Sequence, residues 1–70
     1  MSTAAAEEIA ELESLGAKDI QIKDSGYLTY RGICRYQGEV ITVEGFTHWS
    51  ATMGLISKIR RIQMGKKVNQ

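Results

Sequence analysis

Residues 29–46, TYRGICRYQGEVITVEGF, limit what this chain can fold into more than any other stretch. Two alternating runs flank Gln37-Gly38, and a glycine at the second position of a two-residue connection is a hairpin signal. Such a turn sets Tyr36 opposite Glu39, Cys34 opposite Ile41 and Gly32 opposite Val43. Upstream, KDIQIKD alternates with Ile20 and Ile22 on one side, and DSG follows at 24–26. A three-residue loop with Gly26 in the left-handed position would put Ile22 opposite Leu28 and Ile20 opposite Tyr30. A one-residue slip would send every side chain to the other face. Both turns then select one apolar face, made of Ile20, Ile22, Leu28, Tyr30, Cys34, Ile41 and Val43.

Helical patterns bracket these strands. Ala5, Ile9 and Leu12 recur at helical spacing after a candidate cap at Ser2 or Thr3. Gly16 stands where a left-handed C-terminal glycine belongs. After Thr47, a candidate N-cap, Trp49, Met53, Leu55, Ile56, Ile59 and Ile62 fall on one arc. Neither helix can bury its stripe alone, so both should cover one sheet face. The expected fold is α+β: a three-stranded antiparallel meander with N- and C-terminal helices on one face, in α-β-β-β-α order. One domain over 1–70 follows, with helix about 3–15, strands about 18–24, 27–36 and 39–46, helix about 48–64, and a frayed tail at 65–70.

The net charge is +1 but polarised. Residues 1–16 hold Glu7, Glu8, Glu11 and Glu13 and no base, while the remainder holds nine bases against four acids. SKIRRIQMGKK has five bases and no acid. Such a segment attracts phosphates or an acidic protein surface, although bases near a helix C-terminus also suit its dipole. The single cysteine excludes an internal disulfide and a cysteine-based zinc cluster, which favours a reducing, cytoplasmic setting. The first 16 residues lack the basic start and apolar run of a signal peptide, and no stretch has the length of a membrane span.

The expected register leaves the far side of the sheet without cover in the chain. Arg31 should lie there between Asp19 and Glu44, ringed by Tyr27, Ile33, Val40 and Phe46, with Arg35 beside Val40. Exposed β-branched residues are ordinary in strands, but four apolar residues around one face suggest a homodimer seam or a partner site.

Catalytic signatures are missing. His48 is the only histidine, so a metal site would need other ligands, and none is expected. Cys34 falls on the core face, where a thiol acts as a small inert hydrophobe. Pairing it with His48 would need contact between the sheet interior and the helix entrance. MGKK lacks the upstream glycine and the Ser/Thr of a phosphate-binding loop.

The helix–strand–strand–strand–helix order resembles the double-stranded-RNA-binding domain and the small HicA-type RNase toxins. VITVEGFTHWSATMGLISKI is similar to the last strand and helix of HicA-type proteins. The first family carries a lysine cluster where this chain reads THWSAT, and HicA-type toxins carry an early catalytic histidine where it reads KDSGYLTY. The resemblance therefore implies the fold and a lean toward nucleic-acid biology, not an activity.

Two functional expectations follow, both of a small non-enzymatic binding or regulatory module without a cofactor or small-molecule substrate. In one, Lys58, Arg61, Lys66 and Lys67 neutralise nucleic-acid phosphates, helped by Arg35. In the other, the outer sheet face binds a protein or a second copy through Tyr27, Arg31, Ile33, Val40 and Phe46. That second module would be a regulator or inhibitor of the kind mobile genetic elements and phages encode.

Overall fold

The computed structural model describes residues 6–68, with side chains described through residue 65. The elements are α1 (Ala6–Ser14), β1 (Lys18–Asp24), β2 (Tyr30–Tyr36), β3 (Glu39–Gly45) and α2 (His48–Val68). The strands form one antiparallel sheet in the order β1-β2-β3, which makes the chain an α+β protein of α-β-β-β-α order. The candidate caps Ser2 and Thr3, and Ala5, lie outside the described residues.

The β2–β3 hairpin follows its two-residue turn. Gln37 and Gly38 have φ of 51° and 82°, the left-handed pair that a type I′ turn requires. Tyr36 pairs with Glu39, Cys34 with Ile41 and Gly32 with Val43, as the turn dictates. The β1–β2 hairpin turns two residues later than its DSG suggests. Ser25 N–H donates to the Thr29 carbonyl at 2.9 Å, and Gly26 N–H donates to Asp24 Oδ1 at 2.8 Å. The three-residue loop is therefore Gly26-Tyr27-Leu28. Ile22 pairs with Gly32 rather than Leu28, and Leu28 is expelled to 92% exposure. Tyr30 pairs with Asp24 rather than Ile20. The register moved by an even number, so Ile20 and Ile22 still face the core. A bulge between Lys18 and Gln21, with Asp19 at φ 55°, absorbs one extra residue near the start of β1.

Leu12, Ala17, Cys34, Tyr36, Ile41, Leu55, Ile56 and Ile59 form the core. α2 lies mainly across β2 and β3, and α1 packs against α2. The α1 terminus joins them locally: Gly16 N–H donates to Glu13 O and Ala17 N–H to Leu12 O, both at 3.0 Å. This is a Schellman motif with Gly16 at φ 106°, and its accompanying apolar contact is the buried pair Leu12 and Ala17.

α2 begins with a reciprocal cap. Ser50 N–H donates to Thr47 Oγ1 at 2.9 Å, and Thr47 N–H donates to Ser50 Oγ at 3.0 Å. Its buried stripe is centred on Ala51, Thr52, Leu55, Ile56 and Ile59, not on Trp49. Thr52 is fully buried because its hydroxyl donates to the His48 carbonyl at 2.9 Å. Trp49 is half-exposed, and its indole Nε1 donates to Glu8 Oε2 of α1 at 3.2 Å. The helix continues past Met64 to Val68, because the chain has no proline to stop it and Gly65 is tolerated within a helix.

Candidate functional site

The outer sheet face carries three cross-strand rows. Lys23, Arg31 and Glu44 form one; Gln21, Ile33 and Thr42 the next; and Lys18, Arg35 and Val40 the last. Arg31 donates to Glu44 Oε2 at 3.2 Å. The bulge carries Asp19 to Arg35 instead of Arg31, with the charged atoms 3.9 Å apart. Ile33 is half-buried at the centre and Val40 is 66% exposed at the edge. The strands of this face are thus a polar, ion-paired surface, with only Ile33 and Val40 as large apolar residues.

Apart from Trp49 and Met64 on α2, the other exposed large apolar residues lie at one end of the sheet. Tyr30 pairs with Gly45, so the Gly26-Tyr27-Leu28 loop and Phe46 leave the sheet at the same end. Tyr27, Leu28 and Phe46 are 85%, 92% and 79% exposed. The His48 ring sits 5.1 Å from the Tyr30 ring beside them. Leu28 also holds a φ of 63°, a left-handed conformation that costs a leucine roughly 1–2 kcal/mol. Its side chain is out of the core, so packing does not offset that strain. Phe46 precedes the Thr47 cap, where an apolar residue often staples onto the first helical turns, yet it stays in solvent.

The cationic residues are dispersed over other surfaces. Lys58 and Arg61 line a groove with Val40, Ile41, Thr42 and Ile62, beside the free edge of β3. The Lys58 ammonium donates to the Thr42 carbonyl at 3.3 Å. Arg60 is ion-paired to Glu11 of α1. Arg35 stands on the outer sheet face. The side chains of Lys66 and Lys67 lie outside the described residues. Val40 and the Lys58–Arg61 pair, assigned by sequence to different surfaces, therefore share one groove, whereas Tyr27 and Phe46 occupy the tip.

Cys34 and His48, the thiol and the base of a conceivable dyad, stay apart. Cys34 is 1% exposed inside the core, while His48 lies against Tyr30. Four residues of β2 separate the levels of Tyr30 and Cys34, about 13 Å at strand rise. Burial raises the Cys34 thiol above its ordinary value. The unfolded thiol therefore ionises first, and its contribution to stability is lost as pH rises from the ordinary thiol value through the folded one. Alkylation of the native protein at pH 8 should run at least about 100-fold slower than in denaturant, because it needs opening of the core. Equal rates would contradict this burial. Among the described residues, no three His, Cys, Asp or Glu side chains are grouped to hold a metal ion, and no helix is long and apolar enough to cross a membrane.

Leu28 and the tip were invisible to periodicity. Its recognition needed the Ser25–Thr29 closure, in which the two hydroxyls also bond each other. Comparison with family models, curated proteins and solved structures finds no match for this chain.

Proposed function

We propose that this chain is a small non-enzymatic binding module that engages a protein partner through its apolar tip, with Tyr27, Leu28 and Phe46 as anchors. One observation carries this reading. Leu28 takes the left-handed position that closes the Ser25–Thr29 turn, where a glycine would be unstrained, and its side chain is almost wholly exposed and returns nothing within the chain. Aromatic and large apolar anchors bordered by polar residues are the composition of protein interfaces. Lys23, Arg31, Asp24 and Glu44 supply that polar border with both signs of charge.

The cation distribution favours a protein over nucleic acid. Lys58 lies about 15 Å along α2 from His48 at helical rise, and Arg35 is on another face. Arg31, Arg35 and Arg60 are each ion-paired. Among the described residues, Lys58, Arg31, Arg35 and Arg60 do not form one row that could track a phosphate backbone.

The test is photo-crosslinking from benzoylphenylalanine placed singly at positions 28, 46 and 21 in the native host. Positions 28 and 46 should capture the same protein, and position 21, on the outer sheet face, should not. Adducts to nucleic acid, or equal yields from all three positions, would overturn the reading.

A further inference from the structure

β3 is an open edge, and its geometry selects a kind of occupant. In a two-residue hairpin the closing pair, Tyr36 and Glu39, is hydrogen-bonded, and bonded pairs then alternate along the ladder. Ile41, Val43 and Gly45 therefore bond to β2, and the N–H and C=O groups of Val40, Thr42 and Glu44 point outward. The Lys58 contact agrees with this parity, since its ammonium reaches the outward Thr42 carbonyl. Grooves flank the edge on both sides. One is lined by Arg31, Thr42, Val43 and Glu44, and the other by Val40, Ile41, Thr42, Lys58, Arg61 and Ile62.

We infer that β3 accepts an extended, acid-bearing segment of another protein as a fourth strand. The outward amides and carbonyls of Val40 and Thr42 bond its backbone. Its groove-facing side chains, spaced two residues apart, meet Ile41 and Ile62 at one position and Lys58 and Arg61 at the next. An apolar residue suits the first and a carboxylate the second. Binding exchanges the partner of Thr42: its carbonyl passes from the Lys58 ammonium to a backbone N–H, and Lys58 passes to the carboxylate. Without that carboxylate, Lys58 remains on Thr42 and guards the edge, a common use of edge lysines.

A second copy of this chain fits less well. Symmetric antiparallel pairing about Thr42 would bring the two Lys58 ammonium groups toward each other. α2 has no acid to offset them, and Glu44 projects from the opposite sheet face. The inference does not depend on the tip, which shares only the bordering residues Arg31 and Glu44 with this edge.

The test tethers a probe to the full chain. After Gln70, a Gly/Ser linker of about 20 residues, with a mean reach of about 25 Å, carries a nine-residue threonine strand with alternating valine and glutamate at one face. α2 runs about 15 Å from Lys58 to Val68, so this linker lets the probe reach the edge. Amide exchange read by NMR should slow at least tenfold at Val40 and Thr42 relative to the untethered chain. A probe with lysine for glutamate should give less than twofold slowing. In the exposed-charge variant Lys58→Glu/Arg61→Glu the preference should reverse to the lysine probe. Unchanged amide exchange with the glutamate probe, or equal protection by both probes in the parent chain, would overturn the inference. So would slowed β3 amides in a dimer of the untethered chain, which would make the occupant a second copy.

Discussion

Leu55→Ala is expected to lower folding stability by about 3 kcal/mol, within the 2–5 kcal/mol range of buried leucine truncations. Leu55 is fully buried at the centre of the α2 stripe. Its Cδ1 lies 3.1 Å from where a side chain on Gly32 would begin, so it fills the space that this glycine leaves over β2. A domain this small has a core that supplies only about 3–5 kcal/mol, so the variant should keep no more than about 2 kcal/mol of stability. Urea denaturation followed by circular dichroism measures it. A midpoint close to that of the parent would mean that α2 does not dock on β2 through this residue.

Gly45→Ala is expected to cost about 2–3 kcal/mol, at the upper end of overpacking effects. A Cβ at Gly45 would lie 2.5 Å from Ser50 Oγ, 2.6 Å from the Ala51 nitrogen and 2.9 Å from the Ser50 carbonyl carbon. Two of those three atoms are backbone of the first turn of α2, so rotation of one side chain cannot relieve the contact. The helix start must move, and the reciprocal bonds between Thr47 and Ser50 move with it. The same denaturation experiment should show a lower midpoint, and an unchanged one would refute the close approach of β3 to α2.

The β2–β3 register was readable because Gln37-Gly38 permits one tight geometry, and strand alternation did the rest. The first turn was not, because Asp24, Ser25 and Gly26 all suit turns and the deciding bonds are side-chain and backbone contacts of Ser25 with Thr29. Ile20 and Ile22 survived the misplacement because the shift was even. In α2, hydrophobicity favoured Trp49 over Ala51 and Thr52. The helix passes so close to the sheet that small residues line its contact, and the large indole is displaced toward α1, where Glu8 receives it.

Less of the candidate site was visible. Tyr27 and Phe46 stood out as apolar residues without a place in the core, but the sheet face to which they were assigned is mostly polar. Alternation places Leu28 in the core because it says only which residues share a face, not where a strand ends. Lys58 and Arg61 were recognised as a basic cluster. Their place beside an open strand edge depends on how α2 crosses β3, and no local pattern encodes that crossing.

The tip reading requires that Leu28 be strained and unpacked. The direct measurement is the unfolding free energy of Leu28→Gly. Glycine relieves a left-handed strain of roughly 1–2 kcal/mol and adds about 0.5–1 kcal/mol of unfolded-state entropy, for a net effect between no change and a stabilisation of about 1.5 kcal/mol. Stability equal to or above that of the parent is the result predicted for a side chain kept for contact with another molecule. A loss of about 1 kcal/mol or more would show that Leu28 packs within the protein, and the tip would then not be a free surface.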